Sequence, residues 1–142
     1  MKIHYPCTVA QRGDGKYYVS FLDFEEANTK GETFEEALLK AEEMLTLALE
    51  SRLEKGEMIP LPRRPAYPGA RFIYPSVRLQ SALLVKFSRG EQTLADLAKT
   101  LETSWAAVSR LEDPSHWVTV KYLSKIATAL GQRLVLSFEK RE

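Results

Sequence analysis

Two-metal hydrolysis of a phosphodiester needs carboxylates gathered closely enough to share metal ions. The first expected strand carries no acid. Asp14 falls in a turn, Asp23 and Glu25 follow the second strand, and Glu35, Glu36, Glu42 and Glu43 lie on what reads as the solvated side of a helix. His4 and His116 are far apart in the chain, and the single cysteine, Cys7, sits on the apolar side of a strand pattern. There is no Cys/His set with zinc spacing, no glycine-rich phosphate loop and no nucleophile-elbow sequence. The expectation is a protein that is not an enzyme, with no catalytic residue, no metal and no cofactor. A residual nuclease would reveal itself by metal-dependent RNA cleavage that Asp23→Asn removes.

The elements that would position side chains are clearer. Residues 2–10 alternate, with Ile3, Tyr5, Cys7 and Val9 on one face, the period of a half-buried strand. Pro6 cannot donate to a ladder, so this strand is expected at a sheet edge or with an irregularity there. Arg12-Gly13-Asp14-Gly15 reads as a turn, and 16–22 alternates again with Tyr17, Val19 and Phe21 together. A third short strand is expected near 27–29, before Gly31. Residues 33–55 read as a helix, with Thr33 and Glu36 forming a capping box and Gly56 as the C′ residue. The front of the chain is therefore β-β-β-α, one helix laid across a small antiparallel sheet.

Five of the seven prolines (Pro60, Pro62, Pro65, Pro68 and Pro75) fall between residues 58 and 75. Proline removes donors and fixes φ, so 58–76 reads as a linker with at most a short strand at 71–74. Helices follow over 77–87, 94–100, 104–111 and 119–130, the last ended by Gly131. Residues 132–139 alternate Leu134, Leu136 and Phe138 against Arg133, Val135 and Ser137, the pattern of a last strand. Alone it is too short to be stable, so it is expected to pair across a two-fold axis in a homodimer.

Charge is divided along the chain. Residues 1–60 hold 7 Lys/Arg against 12 Asp/Glu, residues 61–76 hold 3 Arg and no acid, and residues 77–142 hold 10 against 7. An acidic front and a basic back fit two partners of opposite charge. No stretch is long and apolar enough for a membrane span, and residues 1–10 lack the apolar region of a secretion signal. With a single cysteine in the sequence, a cytoplasmic setting and no membrane partner are expected.

Leu94 to Glu112, LADLAKTLETSWAAVSRLE, places two short helices about a tight turn, with Ala98 small at the crossing and Leu97, Leu101, Val108 and Leu111 apolar. This pattern, with a helix before and one after it, resembles the helix-turn-helix of the Cro/phage-repressor class over roughly 76–131. That class usually has glycine where Glu102 stands, because the turn requires positive φ. The resemblance implies a recognition helix at 104–110. Ser104, Trp105, Ala106, Ser109 and Arg110 would then face operator DNA, off the buried Val108/Leu111 stripe. Arg110 could contact guanine bidentately or neutralise phosphate. The structural alternative puts Trp105 in the core and leaves Arg110 merely solvated. Arg89, His116 and Lys121 are weaker phosphate candidates.

Asp23 through Ala37, DFEEANTKGETFEEA, is similar to the HicB family signature: a short strand, glycine, a capping threonine, then Glu-Glu-Ala opening the long helix. The preceding hairpin and Gly56 to Pro62 continue the likeness. It implies the antitoxin of a type II toxin–antitoxin module: an α+β chain with a degenerate ribonuclease-H-like toxin-binding domain over 1–57, a linker over 58–76, and a mostly helical DNA-binding and dimerisation domain over 77–142. The implied partners are a HicA-like mRNA-cleaving toxin, whose catalytic histidine is occluded, and the module's own operator. Asp23, Glu25, Leu39 and Leu47 are the expected toxin contacts, although Leu39 and Leu47 equally fit packing beneath the linker. The alternative is a stand-alone dimeric transcription regulator whose front domain senses a small ligand.

Overall fold

The two alternating segments form the longest strands. β1 (Tyr5–Gln11) pairs antiparallel with β2 (Tyr17–Phe21), placing Cys7 opposite Phe21 and Val9 opposite Val19. Tyr5, Cys7, Val19 and Phe21 are buried on the shared face. The computed structural model describes residues 1–63 and 68–141, in two compact units, Met1–Leu79 and Gln80–Glu142. Residues 64–67 of the expected linker, Pro65 among them, lie outside the described residues, as does Glu142.

The first unit is α+β. The third strand, β3 (Thr29–Gly31), comes two residues later than expected, because Glu25–Ala27 forms a 3₁₀ turn. The segment read as a linker supplies a fourth strand, β4 (Arg71–Ile73). The sheet order is β3-β2-β1-β4, with all pairs antiparallel. β1 is therefore central and not at an edge, and of the two expectations for Pro6 the irregularity is the one that fits. The β1–β2 register begins at Cys7, and the Pro6 carbonyl accepts from the Leu22 N–H at 3.1 Å. Proline thus sits where the β1–β2 ladder ends, with only its acceptor used there, and stands opposite Phe72 in the β1–β4 pairing.

α1 (Phe34–Lys55) crosses one face of this sheet. The Thr33 hydroxyl accepts from the Glu36 N–H at 3.1 Å, while the Glu36 carboxylate accepts from the Glu32 N–H, one residue further back than a capping box requires. Gly56 ends the helix with φ +68°. Ala37, Ala41, Leu45, Ala48 and Leu49 are the buried stripe. Their small side chains let the helix lie close to the sheet: a Cβ on Gly31 would stand 2.5 Å from the Ala37 nitrogen. Part of the proline-rich segment also folds here, with Ile59 buried and the Tyr5 hydroxyl donating to the Pro60 carbonyl at 2.8 Å.

α2 (Val77–Arg89) leads from the first unit into the second, which continues with α3 (Leu94–Thr100), α4 (Trp105–Ser109), a 3₁₀ turn (Arg110–Glu112) and α5 (Val120–Ala129). Val85, Leu97, Ala98, Leu101, Val108, Leu111 and Ile126 form its core. Residues 132–141 form neither helix nor strand in the single chain. The expected strand at 132–139 is not formed there, since a strand needs a neighbour to complete its hydrogen bonds and the second unit offers none among the described residues.

Candidate functional site

The α3–α4 pair is built by local signals at each end. Thr93 and Asp96 cap α3 reciprocally, the Thr93 hydroxyl accepting from the Asp96 N–H at 3.0 Å and the Asp96 carboxylate from the Thr93 N–H at 3.2 Å. At the other end the Thr103 N–H donates to the Ala98 carbonyl at 2.9 Å and the Glu102 N–H to the Lys99 carbonyl at 3.2 Å. That is the Schellman closure, with Glu102 at the C′ position in the left-handed region at φ +55°. Two residues later the Ser104 hydroxyl accepts from the Ala107 N–H at 3.1 Å and opens α4. Leu97, Ala98 and Leu101 of the first arm and Val108 and Leu111 of the second are buried together.

The outer side of α4 carries the residues singled out for DNA contact. Ser104, Trp105, Ala106 and Arg110 are exposed and Ser109 is half-buried. Trp105 is 59% exposed, so it is not a core residue. Ser109 Oγ donates to the Ala106 carbonyl at 2.9 Å and Ser104 Oγ serves as the cap, so both hydroxyls have structural work within the helix. Trp105, Ala106 and Arg110 are left as the outward-reaching groups.

The weaker phosphate candidates separate. Arg89 is held by Glu112 through two hydrogen bonds at 2.6 and 3.0 Å, with both side chains mostly covered, which makes it a brace from α2 to the 3₁₀ turn. The brace is not legible locally, because the partner of this guanidinium lies 23 residues away. His116 Nε2 is 3.5 Å from Asp113. The Ser115 hydroxyl and N–H both donate to the Asp113 carboxylate and hold its pKa below the usual range, the hydroxyl being the larger cause. Lys121 is exposed in the first turn of α5.

In the first unit the four expected partner contacts fall at two places in the chain, Asp23 and Glu25 at the 3₁₀ turn and Leu39 and Leu47 on α1. Asp23 is held by Arg63, whose guanidinium reaches it at 2.7 Å, and its carboxylate side chain is only 11% exposed. Glu25 is exposed at the start of the 3₁₀ turn. Leu39 and Leu47 stand out on α1, 51% and 56% exposed, so neither is buried beneath the described part of the proline-rich segment. One side chain of α1 ties this region together. Arg52 reaches Glu26 at 2.7 and 2.9 Å, donates to the Met58 carbonyl at 3.3 Å, and lies 4.4 Å over the Phe24 ring. The Arg52 hydrogen bond is the main reason the Glu26 carboxyl is held below its ordinary pKa. Only the charge complementarity of residues 26 positions apart could have hinted at it.

Asp14 lies in the β1–β2 turn, where the Tyr18 hydroxyl donates to it at 2.6 Å, away from Asp23 and its arginine. Among the described residues no group of three His, Cys, Asp or Glu side chains could hold a metal ion. Nor is any helix among them long and apolar enough to cross a membrane.

Comparison with known proteins gives a family model and near full-length relatives that agree. A family model described as the HicB-like antitoxin of bacterial toxin-antitoxin system matches residues 4–78. The chain is 35% identical over 137 residues to Antitoxin HicB 1 of Photorhabdus laumondii subsp. laumondii, covering 96% of this chain and 88% of that one. It is 33% identical over 136 residues to Antitoxin HicB of Escherichia coli strain K12, covering 94% and 98%. The crystal structure of the N-terminal domain of Burkholderia pseudomallei antitoxin HicB overlaps 52% of this chain and 96% of that one, at 24% identity and a TM-score of 0.41.

Proposed function

The chain belongs to the HicB family, the antitoxins of bacterial toxin–antitoxin systems, and from this we propose that it neutralises a HicA-like mRNA-cleaving toxin with its first unit and represses its own operon with its second. The observation that carries the reading is coverage: relatives named as antitoxins match both units in one continuous stretch. We read the sheet and α1 as a degenerate ribonuclease-H-like fold that serves as a binding platform. Its role is stoichiometric, and no catalytic step is assigned to it.

For the second unit, the geometry of α3, the turn at Glu102 and α4 supports a helix-turn-helix. α4 enters the major groove, Arg110 contacts guanine or phosphate, and Trp105 and Ala106 offer apolar surface to a thymine methyl. Ser104 and Ser109 contribute as helix-shaping residues at the same surface. Operator half-sites would be read by two copies, so the functional unit is a homodimer.

Two measurements test this. Co-expression with the small protein encoded beside this chain, followed by size-exclusion with light scattering, is expected to give a stable complex; a chain that emerges without it would defeat the antitoxin reading. Arg110→Ala is expected to weaken operator binding by about 1–3 kcal/mol while leaving the toxin complex intact. Unchanged operator affinity would remove α4 from the DNA.

A further inference from the structure

The solvent side of α1 is unusual for a helix that is buried on one face only. Opposite the buried stripe of Ala37, Ala41, Leu45, Ala48 and Leu49 stand Leu39 and Leu47, eight residues apart and each more than half exposed. Glu43 lies one turn from each, and Glu50 and Glu54 continue the same side toward the end of the helix. Of the paired charges of α1, Arg52 with Glu26 lies elsewhere, whereas Glu36 and Lys40 pair at the start of this same side, with Lys40 one turn from Glu43. Two leucines among Glu36, Glu43, Glu54 and the half-buried Glu50, with Lys40 as the one cation of this side of α1, form an apolar contact in surroundings of net negative charge.

We propose that this face is the surface on which the toxin docks, with Leu39 and Leu47 as the apolar anchors and Glu43, Glu50 and Glu54 taking cations that the toxin otherwise offers to RNA phosphates. The inference rests on the antitoxin reading and adds the site. Three occupants can be compared by charge. RNA would be repelled. A second copy placed face to face would set these carboxylates against themselves, and like-charge juxtaposition is strongly unfavourable. An RNA-cleaving protein must carry Lys or Arg to hold a phosphate backbone, and it meets the row with opposite sign. Helix faces with anchors at such spacing are also a recurring mode of protein recognition, in which apolar anchors set the off-rate and flanking charges set the on-rate.

The test uses the full chain and a catalytically inactive form of the small protein encoded beside it, with affinity measured at low and moderate salt. Leu39→Gln with Leu47→Gln keeps helix-forming residues at exposed positions and is expected to lower affinity at least about tenfold, chiefly through the off-rate. Glu43→Gln with Glu50→Gln and Glu54→Gln is expected to slow association and flatten the salt dependence. Thermal unfolding checks that each variant folds like the parent. Parent-like affinity, off-rate and salt dependence in both variants, with the parent itself binding, would overturn the site while leaving the antitoxin reading in place. A parent that does not bind would overturn both. Loss of self-association in the leucine variant with toxin binding intact would reassign the face to a second copy.

Discussion

Glu102 is the one non-glycine residue described with positive φ, and it stands where two helices must turn sharply. In the left-handed region a Cβ crowds the following carbonyl, which costs on the order of 1 kcal/mol. The chain accepts this because the Thr103 and Glu102 N–H groups close the end of α3 on carbonyls that would otherwise lack partners. Glu102→Gly is therefore expected to stabilise the second unit by about 1 kcal/mol, seen as a rise of a few degrees in the thermal midpoint. Operator affinity is expected not to fall, since Glu102 is not among the outward groups of α4. A lower midpoint would mean that the glutamate side chain makes contacts outweighing the strain of its backbone. Arg89 and Arg110 illustrate a related point: both are cations near α4, but one is satisfied by Glu112 and the other is exposed, so only Arg110 is available to a ligand.

Elements closed by neighbouring residues were legible, and those closed by distant ones were not. Thr33, Glu36 and Gly56 lie within or beside α1, and that helix was readable almost to the residue. Thr93, Ser104 and Gly131 did the same for the second unit. The place of β1 in the middle of the sheet was hidden, because β4 arrives from more than 60 residues away inside a proline-rich stretch. The brace from Arg52 to Glu26 and the pair from Arg63 to Asp23 were hidden for the same reason. The exposure of Ser104, Trp105, Ala106 and Arg110 on α4 is legible from the buried Val108/Leu111 stripe, whereas the pairing of Asp23 is not, because nothing local announces Arg63. Gly31 shows how tight the resulting packing is. Its missing side chain admits the first turn of α1 against β3, where an added Cβ would fall 2.5 Å from one backbone atom and 2.8 Å from another. Backbone on both sides cannot yield cheaply, so Gly31→Ala is expected to cost on the order of 2 kcal/mol in denaturant unfolding. A parent-like midpoint would show that β3 can shift away from the helix without loss.

At the scale of the whole molecule, charge divides by segment more than by unit: residues 1–60 hold 7 Lys/Arg against 12 Asp/Glu, whereas the first unit as a whole holds 11 against 12 and the second 9 against 7, so the acidic segment would suit a cationic partner and the basic one a polyanion. Reading an operator with two-fold symmetry requires two copies of α4 at a fixed spacing, and residues 132–141 are the part of the second unit that a single chain leaves unfinished. Leu136 is 68% exposed, Val135 76%, and Phe138 is fully exposed, all on backbone with no strand neighbour. Pairing this segment with its copy across a two-fold axis would complete both backbones at once and remove alternate apolar side chains from water. Removing residues 132–142 is accordingly expected to convert a dimer into a monomer in sedimentation at micromolar concentration. Operator binding should fall far more than toxin binding, because the toxin surface assigned to α1 needs only one chain. A truncated protein that remains dimeric would move the dimer contact elsewhere, and a full chain that sediments as a monomer would reject the two-fold operator reading altogether.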